Sequence, residues 1–167
     1  MDARQPIKRR TFLKRAIGTA GGVAVFGFPR SGVPPYIVPS SALGKAGNVA
    51  ASNRITMGCI GVGSRGTSIM QSLLGTGEVQ IVCVCDVDAD RRKRAKDLLA
   101  SKYNSTGCAT YSDFRELVAR DDIDAVSIAT PDHWHALPTI AAAKAGKAIY
   151  CEKPLGLTID QGRKMVD

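Results

Sequence analysis

Long apolar runs, paired cysteines and an excess of one charge are all missing from the greater part of this chain. The apolar run from Ala16 to Phe28 is thirteen residues long and rich in glycine, short of the ~20 residues that a spanning helix needs. There is no Cys-x-x-Cys pair, and Cys59, Cys83, Cys85, Cys108 and Cys151 have no partner pair at zinc-finger spacing. That excludes a structural zinc site, and an odd count argues against a disulfide scaffold. All five fall in or at the ends of expected strands and are read as free thiols serving as small apolar groups. Internal repeats and low-complexity blocks are absent. The first fifty residues hold eight of the 23 Lys and Arg but one of the 15 Asp and Glu, so the net charge of +8 shrinks almost to neutrality over the remainder. A general nucleic-acid role loses its support with it.

What is present begins with Gly61-Val62-Gly63-Ser64-Arg65-Gly66, followed twenty positions after its last glycine by Asp86. An apolar strand pattern (55–60) precedes the turn, a helical pattern (64–74) follows it, and a second apolar run (79–85) ends at the acid. Strand, glycine turn, helix, strand and acid in that order suit a dinucleotide. Gly61 permits the tight turn, Gly63 lets a pyrophosphate approach the backbone, and Gly66 lets the helix pack closely on the sheet. The helix start offers free N–H groups and partial positive charge to phosphates. Asp86 is placed to accept from a ribose diol. A methyltransferase using S-adenosylmethionine is the chemical rival, since it also joins a glycine loop to an acid after the second strand.

Strand and helix patterns alternate along the rest. Strands are also expected at 108–111, 124–129 and 147–151, and helices at 89–102, 113–120, 134–145 and 159–167, the last with a capping box of Thr158 and Gln161. The basic cluster Arg91, Arg92, Lys93, Arg94 and Lys96 is read as a solvated helix face. This alternation predicts an α/β fold, a Rossmann-type doubly wound parallel sheet, whose ligands lie beyond the carboxyl ends of the strands. Both histidines, His133 and His135, and the single tryptophan, Trp134, fall in loops at that edge, with Asp86-Val87-Asp88 and Glu152-Lys153-Pro154. The opposite loops carry ordinary turn residues. Trp134 is read as packing. The two histidines have ligand-like spacing but no supporting carboxylate or thiolate, so no metal site is expected.

Gly61–Gly66, Thr130-Pro131-Asp132 with His135, and Glu152-Lys153-Pro154 together resemble the Gfo/Idh/MocA family, which includes glucose–fructose oxidoreductase and inositol dehydrogenase. The resemblance covers residues 54–167 and implies an NAD(P)-dependent oxidoreductase acting on a secondary alcohol or ketone of a sugar, polyol or related compound. It implies NAD or NADP as cofactor, and the acid at Asp86 favours NAD, with Arg91 or Arg92 able to offset it. It makes Lys153 the catalytic residue beside the nicotinamide, where partial desolvation would lower its pKa. It assigns cofactor contacts to Gly61, Gly63, Ser64, Arg65, Gly66, Asp86, Thr130, Pro131, Asp132, His135, Glu152, Lys153 and Pro154. In the family a second α/β domain follows and supplies most of the substrate pocket, and none of it is in this sequence. The expectation is therefore a chain that binds cofactor and turns over little alone. A non-catalytic nucleotide-binding or regulatory protein is the alternative. The face that would meet the second domain is expected to be apolar, so a homo-oligomer is admitted among the partners.

Ahead of this domain, Lys8-Arg9-Arg10-Thr11-Phe12-Leu13-Lys14 resembles a twin-arginine export signal. The apolar run after it suits a signal core, and Ser40-Ser41-Ala42 offers small residues for cleavage. The organisation expected is a signal peptide over 1–42, a linker over 43–53 and the nucleotide domain over 54–167. It implies the twin-arginine machinery as a partner and the periplasm as destination.

Overall fold

The computed structural model describes residues 49–167. The proposed signal peptide and the linker up to residue 48 lie outside the described residues. Five strands, β1 (Ile55–Ile60), β2 (Val79–Cys85), β3 (Ala109–Tyr111), β4 (Ala125–Ile128) and β5 (Ala148–Cys151), form one sheet. All neighbours in it are parallel, in the order β3-β2-β1-β4-β5. Between and after them run α1 (Ser64–Thr76), α2 (Ala89–Tyr103), α3 (Phe114–Val118), α4 (Ala136–Lys144) and α5 (Ile159–Val166). This is the doubly wound α/β sheet that the alternation predicts. The order reverses beside β1, so the loops leaving β1 and β4 part there and open a crevice.

Two apolar clusters lie on the sheet. Met70 and Leu74 of α1 and Ala95 and Leu99 of α2 pack with Cys59, Ile81 and Val84. Leu117 and Val118 of α3 and Ala142 of α4 pack with Ile60, Cys83, Cys85, Val126 and Ile128. Burying each of the larger side chains contributes roughly 1.5–3 kcal/mol. A Cβ at Gly58 would come within 2.7 Å of Leu117 Cδ2, so the missing side chain in β1 is what lets Leu117 reach full burial. All five cysteines are free, and four are buried. Burial pushes the thiols of Cys83 and Cys85 up to about 12, so they remain protonated, apolar fillers.

The β1–β2 register shifts once: Met57 faces Ile81, but Gly58 faces Cys83. At the amino edge of the sheet, polar groups stitch the turns. Thr56 donates its N–H and hydroxyl to Asp124 Oδ2 at 2.8 and 2.6 Å, and Lys147 Nζ donates to the carbonyls of Arg120 and Ile123.

The helix expected from residue 134 starts later. A 3-10 turn, Asp132–Trp134, precedes α4 at Ala136. Pro138 has no N–H for a bond to the carbonyl four residues back, so it belongs in the first turn. The capping box of α5 is also modified: Thr158 Oγ1 accepts from Gln161 N, while Gln161 Oε1 accepts from Leu157 N rather than Thr158 N.

Candidate functional site

At the carboxyl ends of β1 to β4 lies a cavity of about 560 Å³, within the size range of small-molecule sites. Its floor is the glycine turn. Gly61 N donates to Cys85 O at 2.8 Å, which carries the ladder past the end of β1. Gly61 has a φ of +80°, and a Cβ there would stand 2.7 Å from the backbone of Ala129 and Thr130. A Cβ at Gly66 would stand 1.9 Å from Gly61 O, so the helix rests directly on the turn. Gly63 differs. The nearest atom to its Cβ position is Arg91 Nη1 at 3.5 Å, which leaves its backbone open toward the cavity.

The helix starts around this edge are not alike. Asp88 caps α2, accepting from Asp90 N and Arg91 N, and Asp113 caps α3, accepting from Arg115 N. These bonds hold both carboxyls below the usual range. Helix α1 begins on Gly63 with no side-chain cap and no acid in its first turn. Its leading N–H groups and the positive end of its dipole therefore remain available to an anion.

Asp86 is buried and its carboxylate is fixed by two backbone donors, Val62 N at 2.9 Å and Asp88 N at 3.0 Å. The acid and the glycine turn are thus one rigid piece. Each oxygen keeps a lone pair for a hydroxyl in the cavity. Arg92 Nη1 donates to Asp86 O at 2.6 Å, and Arg91 lines the cavity. The basic cluster is a solvated face only in part, since its first two members are turned to the site.

On the opposite wall, Thr130 and Pro131 line the cavity, and Thr130 Oγ1 is buried without a hydrogen-bond partner. A buried hydroxyl left unpaired is costly, and a ligand hydroxyl or amide would complete it. The open Gly63 cradle, the uncapped helix and this hydroxyl all fit a dinucleotide. Gly61, Ser64, Arg65 and Asp86 also line the cavity.

The remaining expected site residues stand elsewhere. Gly66 lies behind the turn. Asp132 is exposed on the 3-10 turn. His135 is buried, with Nε2 2.7 Å from Thr130 O and Nδ1 in contact with Pro154 O. Both ring nitrogens are thereby occupied, which leaves neither for a metal. Glu152 is buried and accepts from Arg65 Nε at 2.7 Å and from Lys153 N at 3.1 Å. Arg65, and secondarily the Lys153 amide, hold its carboxyl below the usual range. Lys153 and Pro154 are exposed, joined by a cis peptide, and do not line the cavity.

Sequence reasoning passed over the loop after β3. Ser112, Asp113, Phe114 and Arg115 line the cavity, as do His133 and Trp134. Trp134 meets Phe114 edge-on at 6.5 Å, so it packs as expected and also walls the site. The rule that every carboxyl-end loop faces the crevice would have found these residues.

A family model described as an oxidoreductase family with an NAD-binding Rossmann fold (GFO_IDH_MocA) matches residues 55–167. A glycosyl hydrolase family 109 protein of Saccharopolyspora erythraea is 33% identical over 171 residues, covering 97% of this chain and 36% of that protein. The chain thus spans about a third of the length of the curated relatives it matches. Among solved structures, myo-inositol 2-dehydrogenase from Lactobacillus plantarum matches with a TM-score of 0.61 and 29% identity, over 68% of this chain and 32% of that one. The scyllo-inositol dehydrogenase of Lactobacillus casei, with bound NAD(H) and scyllo-inositol, matches with a TM-score of 0.60 and 26% identity, over 67% and 32%.

Proposed function

The chain belongs to the Gfo/Idh/MocA family of oxidoreductases with an NAD-binding Rossmann fold, and on that premise we propose that it acts by hydride transfer on a secondary alcohol or ketone of a sugar or polyol. The observation that carries this reading is the uncapped, acid-free start of α1 over Gly63, locked to Asp86 through Val62 N. This helix start is open to an anion, and one acid is rigidly set beside it for a ribose. When bound, the nicotinamide supplies the hydride acceptor or donor. The chain's own part is to hold the pyrophosphate on the glycine turn and the ribose on Asp86. Thr130 Oγ1 meets the nicotinamide side. Lys153 holds the proton that leaves or joins the substrate oxygen, since a carbinol gives up hydride only as its hydroxyl proton is lost. The bound inositol of the Lactobacillus casei neighbour supports the polyol class.

A second reading is favoured by the name of the curated relatives, which points to glycosides. Oxidising a ring hydroxyl acidifies the neighbouring C–H and lets a glycosidic substituent leave by elimination, so the same site chemistry serves both. Residues outside the described ones add export by the twin-arginine route to the periplasm as part of this proposal.

Calorimetric titration with NADH, NADPH and S-adenosylmethionine tests the cofactor assignment: NADH is expected to bind, and binding of S-adenosylmethionine alone would overturn it. In a protein extended to the length of its relatives, Lys153→Ala should lower turnover by 100-fold or more, an order typical of a lost general base, with NAD affinity nearly unchanged. Release of nitrophenol from a nitrophenyl glycoside with NAD present selects the second reading.

A further inference from the structure

The loops after β4 and β5 leave different strands, and one side chain joins them. The imidazole of His135 lies between the carbonyl of Thr130 on one loop and the carbonyl of Pro154 on the other. Its backbone is fixed from both sides: His135 N donates to Asp132 O, and the N–H and hydroxyl of Thr139 donate to His135 O at 3.2 and 2.7 Å. The ring is only 1% exposed, so no water competes for its nitrogens.

Carbonyl oxygens only accept. A neutral imidazole carries one N–H, so it satisfies one carbonyl and turns a lone pair on the other. A ring with two protons donates to both. We propose that His135 is a positioning residue that, carrying both ring protons, straps the Thr130 loop to the Glu152-Lys153-Pro154 loop and so sets the nicotinamide side of the cofactor site. The proposal rests on the cofactor reading given above.

The charged neighbours leave this role to the two carbonyls. Asp132 and His133 share the 3-10 turn, and Glu152, already paired with Arg65, precedes Lys153 on the second loop. Cys151 ends β5, and Lys144 lies at the far end of α4. Helix α3 brings Arg115 and Glu116, and α5 brings Asp160, Arg163, Lys164 and Asp167 at its end. Among the described residues, none of these side chains hydrogen-bonds the ring. With both ring protons the strap has both bonds, and with one proton gone it keeps a single bond. Thr130 and Pro131 on one wall, and Lys153 beside Pro154, then lose their common tether.

The chain contains two histidines, so in the His133→Gln background an untagged, ¹⁵N-histidine-labelled protein reports on His135 alone. Two protonated ring nitrogens are expected under the conditions in which NADH binds. His135→Asn and His135→Gln, each able to donate toward only one of the two carbonyls, should bind NADH about tenfold more weakly, the order expected of one lost charge-assisted hydrogen bond. A singly protonated ring, or parent-like NADH affinity in both variants, overturns the strap. A doubly protonated ring with no NADH binding at any pH overturns the cofactor reading, and the positioning role with it.

Discussion

Arg65 and Glu152 are 87 positions apart in the chain and 2.7 Å apart in the fold. The pair ties the start of α1 to the end of β5 and so closes one side of the crevice. Arg65 holds the Glu152 carboxyl below its usual range, and Glu152 holds the Arg65 guanidinium above its own. A lowered carboxyl contributes fully above the ordinary glutamate range and loses that contribution as pH falls through its folded value. Denaturant midpoints should therefore be insensitive to this pair above about pH 5 and fall below about pH 4.3. Glu152→Gln should blunt that acid dependence and weaken NADH binding a few-fold at neutral pH. An unchanged acid profile in Glu152→Gln would remove the pair from the account.

Two glycines of one turn should respond in opposite ways to the same methyl group. At Gly66 the new Cβ meets backbone, Gly61 O at 1.9 Å. Gly66→Ala should thus lower stability by about 1–3 kcal/mol or more. At Gly63 the nearest atom is the movable end of Arg91, so Gly63→Ala should melt within about 1 kcal/mol of the parent yet bind NADH at least tenfold more weakly. Thermal melts and calorimetry read both. Parent-like affinity in Gly63→Ala would mean that no pyrophosphate lies against that turn.

Cofactor choice turns on Asp86 and Arg91. A carboxylate beside a 2′-phosphate should give NAD about a tenfold advantage over NADP. Asp86→Ser should narrow or reverse the ratio, and Arg91→Ala should weaken NADP more than NAD. The ratio is the proper readout, because Asp86 also holds Val62 N and Asp88 N and its loss weakens binding of both cofactors. Equal affinities in the parent would show that Arg91 or Arg92 outweighs the acid.

Replacing Arg9 and Arg10 together with Lys should leave the precursor in the cytoplasm, as followed by cell fractionation. Undiminished periplasmic delivery would refute the twin-arginine assignment.

Much of the frame was legible because it is local. The bounds of β1 and β2 coincide with the apolar runs, and Gly61, Gly63 and Asp86 line one cavity as their spacing implies. Features that need the third dimension were not legible. Nothing in the local pattern pairs Arg65 with Glu152. His135 and Trp134 are adjacent in sequence, yet the first is buried between two loops and the second faces the cavity. The loop after β3 escaped notice because Asp113 also reads as an ordinary helix cap, which it is.

The register shift between β1 and β2 acts as a timing device. β2 has seven residues to the six of β1, and the unmatched Val82 absorbs the difference, so that Ile60 and Cys85 finish level. Everything the crevice needs next is counted from that common finish line: the turn begins on one side as Asp86 emerges on the other, its carboxylate already in reach of Val62 N. Pair β2 regularly, without the bulge that takes up Val82, and the two strands fall out of step by one residue. The side chains beyond it swap faces, and the acid arrives one position late for its appointment with the turn.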